Sequence, residues 1–304
     1  MSVVVIGSIN VDIVTYSARM PAPGESMKGE TYAMVLGGKG CNQATAAARL
    51  GAPTRLIGRI GADAFGDFVR ERLASRGIDA RSVTTDPVAA TGIAVIPIVA
   101  SGQNSIIVIP GANDTLTEDV LDESALRGAR VLLSQIETPL ETSLKAAARV
   151  RAGGGLYVLD PAPVPDAPID SNAWKLADIT TPNEVETLKI TGIDPVDLPS
   201  ARAAAERLRA FGVGTAVVKL GARGVYALGD GIDLHLPPFP VTVVDTVAAG
   251  DSFNGGLAVA LAEGVGLQRA IHFASACGAL ACTRKGSSDS VPTRAEAEAM
   301  FGTL

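Results

Sequence analysis

The chain has 304 residues, of which 47% are hydrophobic and 19% charged, and a formal net charge of −6. That length buries a large core, as one big domain or two smaller ones, and the composition is ordinary for an α/β protein. No long basic run offsets the acidic balance, which argues against a nucleic-acid partner. A small phosphorylated ligand stays open, because local amides can hold one. Cys41, Cys277 and Cys282 are too few for a disulfide framework or a zinc site, and His235 and His272 offer little metal chemistry.

The chain starts Met1-Ser2-Val3-Val4-Val5-Ile6-Gly7, with no positive charge and a short apolar run, so a strand is expected rather than a signal peptide. No stretch reaches the roughly 18 uninterrupted apolar residues of a membrane span, and a cytoplasmic location is expected. Apolar runs at residues 3–6, 55–60, 131–135, 156–159, 178–180, 215–220 and 225–228 read as strands. Stretches at 39–50, 65–76, 140–151, 184–191, 201–211, 251–263, 267–283 and 293–301 read as helices. Such alternation predicts a mostly parallel sheet covered on both faces, with ligands beyond the carboxyl ends of its strands.

Two segments break the rhythm. Residues 12–36 carry Pro21, Pro23, Gly24 and Gly29 and have no helical period. Residues 91–110 alternate as a hairpin around Ser101-Gly102-Gln103-Asn104. Together they are expected to form a small separate sheet, suited to act as a lid, with an exposed apolar face able to pair with another subunit.

Several motifs carry chemistry. Gly7-Ser8-Ile9-Asn10-Val11-Asp12 sets Asn10 and Asp12 on one side of an extended segment. They read either as a clamp for neighbouring sugar hydroxyls or as plain turn chemistry. Leu36-Gly37-Gly38-Lys39-Gly40-Cys41-Asn42-Gln43-Ala44 leads into an alanine-rich helix. Its glycines allow a ligand close to the backbone, and Asn42 offers both a donor and an acceptor; a flexible turn explains the same letters. It is not a Walker A loop, because Gly40 follows the lysine. Cys41 in that loop is a conceivable target for thiol reagents.

Thr181-Pro182-Asn183-Glu184-Val185-Glu186 places Asn183 and Glu186 on one helical face. They form either a capping box or a phosphate contact beside a carboxylate that organises water around Mg2+. Lys219-Leu220-Gly221-Ala222-Arg223-Gly224 either lines a nucleotide or makes a hairpin turn. The most informative stretch is Asp245-Thr246-Val247-Ala248-Ala249-Gly250-Asp251, at the start of an amphipathic helix with Phe253, Leu257, Ala260 and Leu261 on one face. Its small residues and the helix N-terminus form an anion site. Asp251 inside that site reads as a base that deprotonates a hydroxyl attacking a phosphate, or as an ordinary helix-start residue.

Taken together, these residues resemble the ribokinase branch of the PfkB carbohydrate kinases. The matching motifs stand in order at 7–12, 37–42, Gln135-Ile136-Glu137, 181–186, 220–224, 245–251 and Thr283-Arg284-Lys285-Gly286. Ala248 stands where the commonest family form has glycine, a form that ribokinases use. The resemblance implies a three-layer α/β/α ribokinase-like fold, one kinase domain over residues 1–304 with a small β lid from about 12–36 and 91–110. It implies ATP-dependent phosphorylation of a sugar, D-ribose first, in a homodimer formed through the lid, with no nucleic-acid or membrane partner. Asn10, Asp12, Gly38, Lys39, Gly40, Asn42 and Glu137 would hold the sugar. Asn183, Lys219, Gly221, Arg223, Gly224 and Gly250 would line the ATP, with Ser275 where some ribokinases set a histidine against adenine. Amides of Ala248, Ala249 and Gly250 would form the anion hole, with Asp251 as base and Glu186 serving Mg2+ through water. A K+ site would use the Asp245 side chain, the Val247, Ala281, Arg284 and Gly286 carbonyls, and Ser290. The alternatives are another acceptor (deoxyribose, fructose or a nucleoside) or an idle sugar- or nucleotide-binding regulator on the same fold.

Overall fold

A computed structural model describes residues 2–304. In chain order its strands are β1 (Ser2–Ile6), β2 (Asn10–Ser17), β3 (Thr31–Gly37), β4 (Thr54–Gly61), β5 (Val83–Asp86), β6 (Gly92–Val99), β7 (Ile107–Ile109), β8 (Ala129–Ser134), β9 (Leu156–Leu159), β10 (Ile179–Thr180), β11 (Thr215–Lys219), β12 (Val225–Gly229) and β13 (Ile232–Leu236). Its helices are α1 (Lys39–Arg49), α2 (Ala64–Ser75), α3 (Glu123–Leu126), α4 (Leu140–Ala152), α5 (Ser171–Leu176), α6 (Glu184–Thr191), α7 (Leu198–Ala210), α8 (Ala249–Ala262), α9 (Leu267–Ala281) and α10 (Arg294–Phe301).

Nine strands form one sheet in the order β13-β12-β11-β10-β9-β8-β1-β4-β5. All its pairs are parallel except β11–β12 and β12–β13. Alternate residues of each strand point to opposite faces, which divides the core in two. Val3, Val5, Val131, Leu133 and Val158 join the cluster under α1, α8 and α9. Val4, Ile6, Leu132, Tyr157 and Leu159 join the cluster under α4, α5 and α7. This is the three-layer arrangement that continuous apolar strands call for.

The second sheet has four strands in the order β3-β2-β6-β7. It is built from the two segments that break the helical rhythm, and the pairs Ile93↔Ile109 and Val95↔Ile107 close the expected hairpin. Tyr32, Ile106, Ile107, Val108 and Ile109 leave an exposed apolar surface on it.

Helix α8 departs from the amphipathic expectation, since residues 251–262 are all buried. The helix lies between α1, α9 and β8. Glycine makes this fit possible. A Cβ on Gly255 would stand 2.4 Å from the Ala46 Cβ, and one on Gly256 would stand 2.8 Å from the Cys277 Sγ. Strands β5 and β13 and helices α3 and α5 lie outside the expected set. None of the helices is long and apolar enough to cross a membrane, among the described residues.

Candidate functional site

Asp251 sits in the first turn of α8, but it does not cap the helix. The N-cap residue is Ala248, which makes no side-chain cap bond. The Asp251 carboxylate instead faces α1, where Oδ2 accepts from Asn42 Nδ2 at 3.0 Å and Oδ1 accepts from Gln43 Nε2 at 3.1 Å. Asp251 is 6% exposed. Burial raises its pKa above the ordinary carboxylate value and the charge of Asp160 adds to this, while Lys39, Asn42 and Gln43 favour the ionised form. Its surroundings are therefore polar rather than hydrocarbon.

The preceding loop presents main-chain donors. Ala248 is the only described residue other than glycine with positive φ, at 58°. This left-handed turn lets α8 begin abruptly. Helix geometry leaves its first N–H groups without intrahelical acceptors, and no acceptor among the described residues takes the N–H of Ala248, Gly250 or Asp251. Ala249, expected in the anion hole, instead sends its N–H back to Thr246 O at 3.3 Å, because the turn closes there.

The 37–42 loop is a close-packed junction rather than a flexible turn. Gly38, at φ 88°, is the N-cap residue of α1. A Cβ on Gly40 would stand 2.5 Å from the Gly7 carbonyl carbon. The Lys39 N–H donates to Glu137 Oε2 at 3.0 Å, and the Ser8 hydroxyl donates to the same oxygen. Burial disfavours the Lys39 ammonium, but the carboxylates of Asp251, Asp160, Glu137 and Glu186 together outweigh it and raise its pKa.

Asn10 and Asp12 stand on one side of β2, as their spacing predicts. Burial, with Glu137 and Asp251 nearby, pushes Asp12 up to about 7. A cavity of about 360 Å3 opens here, lined in part by Ser8, Asn10, Asn113, Asp114 and Glu137. Two buried acceptors outside the lining of this cavity, Asn42 Oδ1 in α1 and Gln135 Oε1 after β8, have no protein partner. Hydroxyl groups are the chemistry that satisfies such acceptors. Cys41 is fully buried and its thiol is pushed up to about 12, so the expected reactivity towards thiol reagents has no basis.

On the other side, Lys219 Nζ lies 3.4 Å from Asp160 Oδ1. A Cβ on Gly250 would approach the same ammonium to 3.4 Å. Asn183 and Glu186 form the capping box of α6, with Asn183 Oδ1 accepting from Glu186 N at 2.9 Å and Asn183 N donating to Glu186 Oε2 at 2.8 Å. Burial raises the Glu186 pKa, and Lys219 opposes it. Gly221, Ala222 and Arg223 form the tight turn between β11 and β12, and Arg223 pairs with Glu184. Ser275 returns its hydroxyl to Ile271 O at 2.9 Å within α9.

The chain that carries this buried carboxylate, these free amides and this cavity has known relatives. The family model for pfkB family carbohydrate kinases matches residues 1–294. The chain belongs to that family. A ribokinase of Haemophilus influenzae is 40% identical over 294 residues, covering 96% of this chain and 95% of that one. A deoxyribokinase of Salmonella typhi is 35% identical over 296 residues, covering 96% of each. The structure of Arabidopsis thaliana ribokinase with ribose and ATP superposes with a TM-score of 0.90 at 33% identity, covering 99% of both chains.

Of the cation candidates, Val247 and Gly286 meet Asp245 through their main-chain N–H groups. Asp245 Oδ1 accepts from Val247 N at 3.1 Å and Oδ2 from Gly286 N at 3.3 Å, which ties the anion loop to the segment after α9. Ala281 O accepts from Arg284 N at 3.5 Å, and the Ser290 hydroxyl donates to Ser287 O at 2.8 Å. No three His, Cys, Asp or Glu side chains converge as a ready metal cluster among the described residues.

Three residues bonded to the candidate site residues lie outside the expected set. Gln43 Nε2 bridges Asp251 Oδ1 and Asp160 Oδ2, the latter at 2.9 Å, and Gln43 Oε1 accepts from Gln135 Nε2 at 2.6 Å. Asp160 follows β9 directly, the position that parallel sheets use for ligands, and that was the available signal. Asn113 gives no local signal at all.

Proposed function

We propose that the protein catalyses ATP-dependent phosphorylation of a sugar's primary hydroxyl, D-ribose to D-ribose 5-phosphate, with Asp251 as general base. The carrying observation is that Asp251 leaves its own helix uncapped and turns its buried carboxylate to the side-chain amides of Asn42 and Gln43, in the same turn as unpaired main-chain amides. In this reading Asn10, Asp12, Gly38, Lys39, Gly40, Asn42 and Glu137 hold the sugar. Asn183, Lys219, Gly221, Arg223, Gly224, Gly250 and Ser275 line the ATP. Asp251 takes the proton of the primary hydroxyl, the oxygen attacks the γ-phosphorus in line, and ADP leaves. The amides of Ala248, Gly250 and Asp251, which have no acceptor among the described residues, stabilise charge on the transferring group.

The carboxylates of Glu186 and Asp160 around Lys39 and Lys219 supply hard oxygens of the kind Mg2+ prefers. Glu186 would hold Mg2+ through water, and the ion would offset the charge of the phosphates. The Asp245 side chain, the Val247, Ala281, Arg284 and Gly286 carbonyls and Ser290 suit K+, an oxygen-seeking cation that sets the geometry of the loop. Residues 1–304 act as one kinase domain. The small sheet closes over the sugar as a lid and excludes water, which otherwise competes as acceptor. Its exposed apolar face supports a homodimer through the lid. Three free cysteines accord with a cytoplasmic location.

A second reading, 2-deoxyribose as acceptor, is favoured by the similarity to a deoxyribokinase. ADP release over a panel of pentoses, hexoses and nucleosides, with Mg2+ and K+ present, decides between them. Ribose is expected to give the highest kcat/KM. A preference for 2-deoxyribose moves the assignment to that acceptor, and no release above the sugar-free rate with any compound overturns the kinase reading in favour of a binding regulator.

A further inference from the structure

Asn113, in the turn after β7, has its side-chain amide fully engaged. Its Oδ1 accepts the Ile9 N–H at 2.8 Å, and the two hydrogens on its Nδ2 are shared among three acceptors, Asn10 Oδ1 at 2.8 Å, Pro110 O at 3.0 Å and Ile9 O at 3.2 Å. The residue is 1% exposed. Its main-chain partners decide which end of the amide is which, because an N–H only donates and a carbonyl only accepts. Oδ1 must face Ile9 N, and Nδ2 must face Ile9 O and Pro110 O. The Asn10 atom that meets Asn113 Nδ2 is then an acceptor, its Oδ1.

Asn10 Nδ2 is thereby left with no acceptor among the described residues, in a side chain that lines the same cavity as Ser8, Asn113 and Glu137. Gly92 makes room for the arrangement. A Cβ there would stand 2.3 Å from Asn113 Nδ2 and 2.4 Å from Asn10 Oδ1.

We propose that Asn113 is a positioning residue that locks Asn10 so that it presents a hydrogen-bond donor to the acceptor sugar. The inference deepens the sugar-kinase reading and rests on it. Asp12 and Glu137, when ionised, only accept. A hydroxyl that donates to one of them keeps lone pairs to be met, and Asn10 Nδ2 meets them. Donor and acceptor together orient a polyol, whereas acceptors alone use each hydroxyl once. The main chain of Ile9 and Pro110, just before β2 and just after β7, therefore sets the polarity of the sugar site, through one amide that touches Asn10 rather than the reacting atoms.

The test is a double-mutant cycle read in steady-state kinetics. Asn113→Asp keeps an acceptor for the Ile9 N–H but removes the donor to Asn10, whose amide then turns Nδ2 away from the sugar. The sugar KM is expected to rise about tenfold, the loss of one net hydrogen bond, with the ATP KM and kcat within about threefold. In an Asn10→Ala background the same substitution is expected to move the sugar KM by less than about twofold. Equal effects in the two backgrounds, or an unchanged sugar KM, overturn the proposal. If Asn113→Asp does not fold, Asn113→Ala, which removes the donor to Asn10 without adding a buried charge, runs the same cycle with the same expectations. A wild-type protein that releases no ADP with any sugar overturns the kinase reading instead; the cycle is then read as sugar Kd by calorimetry, with the same two outcomes.

Discussion

On the cavity side of the site, Asn10, Asn113, Ser8 and Glu137 are bonded to one another or to nearby main chain. On the loop at 245–251, the Gly250 and Asp251 amides have no acceptor, the helix has no side-chain cap, and Ala248 is held at φ 58°. The first side spends its hydrogen bonds on fixing a few groups in one orientation, which suits recognition of a neutral polyol. The second keeps its donors free, which suits charge that develops only during phosphoryl transfer. Substitutions on the two sides should therefore separate, with KM effects from the cavity and kcat effects from the loop.

The largest effect should come from Asp251→Asn. The variant keeps the shape of the side chain and loses the base, so kcat is expected to fall at least about 100-fold while the fold survives; near-normal turnover breaks the assignment of the loop side. Asp12→Asn probes the other side through stability. Asp12 is raised from 3.8 to about 7, so its contribution to stability is present below the lower value and lost as pH rises through the higher. Denaturant unfolding should find Asp12→Asn more stable than wild type by up to about 4 kcal/mol near pH 8, with the gain fading towards about pH 4. A pH-independent difference contradicts the buried, charge-crowded position of this group.

A smaller, several-fold effect is expected from replacing K+ by Na+ at equal ionic strength. It should lower kcat and leave the sugar KM alone, because Asp245 is tied to the loop and not to the cavity. Equal rates in both salts remove the cation from the account. The smallest effect belongs to Ala248→Gly. Relief of the left-handed strain should add about 1 kcal/mol of stability and raise Tm by about 2 °C, and an unchanged or lower Tm argues that the turn is unstrained.

The sequence made the loop side more legible than the cavity side. Small residues followed by a carboxylate at a helix start are a local pattern, so Asp251 and its amides stand out within seven residues of text, Asp245 to Asp251. Ala249 was misjudged because its N–H is used by a turn that composition does not reveal. Asn113, by contrast, acts on Ile9 and Asn10, about a hundred residues away in the chain, and only the pairing of β2 with β6 brings them together. Gln43 lay inside a recognised motif, yet its partners Asp160 and Asp251 belong to other elements.

The fold followed the same division. Buried parallel strands are continuous apolar runs and were readable, as Leu156–Leu159 illustrates. Strands β5 and β13 lie at the two edges of the large sheet, where half-exposed positions carry Thr84, Asp86, Asp233 and His235 and blur the apolar pattern. Helix α8 read as amphipathic because its glycines and alanines hide how closely α1 and α9 approach it.

The most direct measurement is a crystal structure with D-ribose and a non-hydrolysable ATP analogue. The account predicts an Asp251 carboxylate oxygen about 3 Å from the sugar's primary hydroxyl, with the terminal phosphate against the Gly250 and Asp251 amides. A sugar whose primary hydroxyl lies out of reach, with Asp251 still bonded to both Asn42 and Gln43, would contradict it.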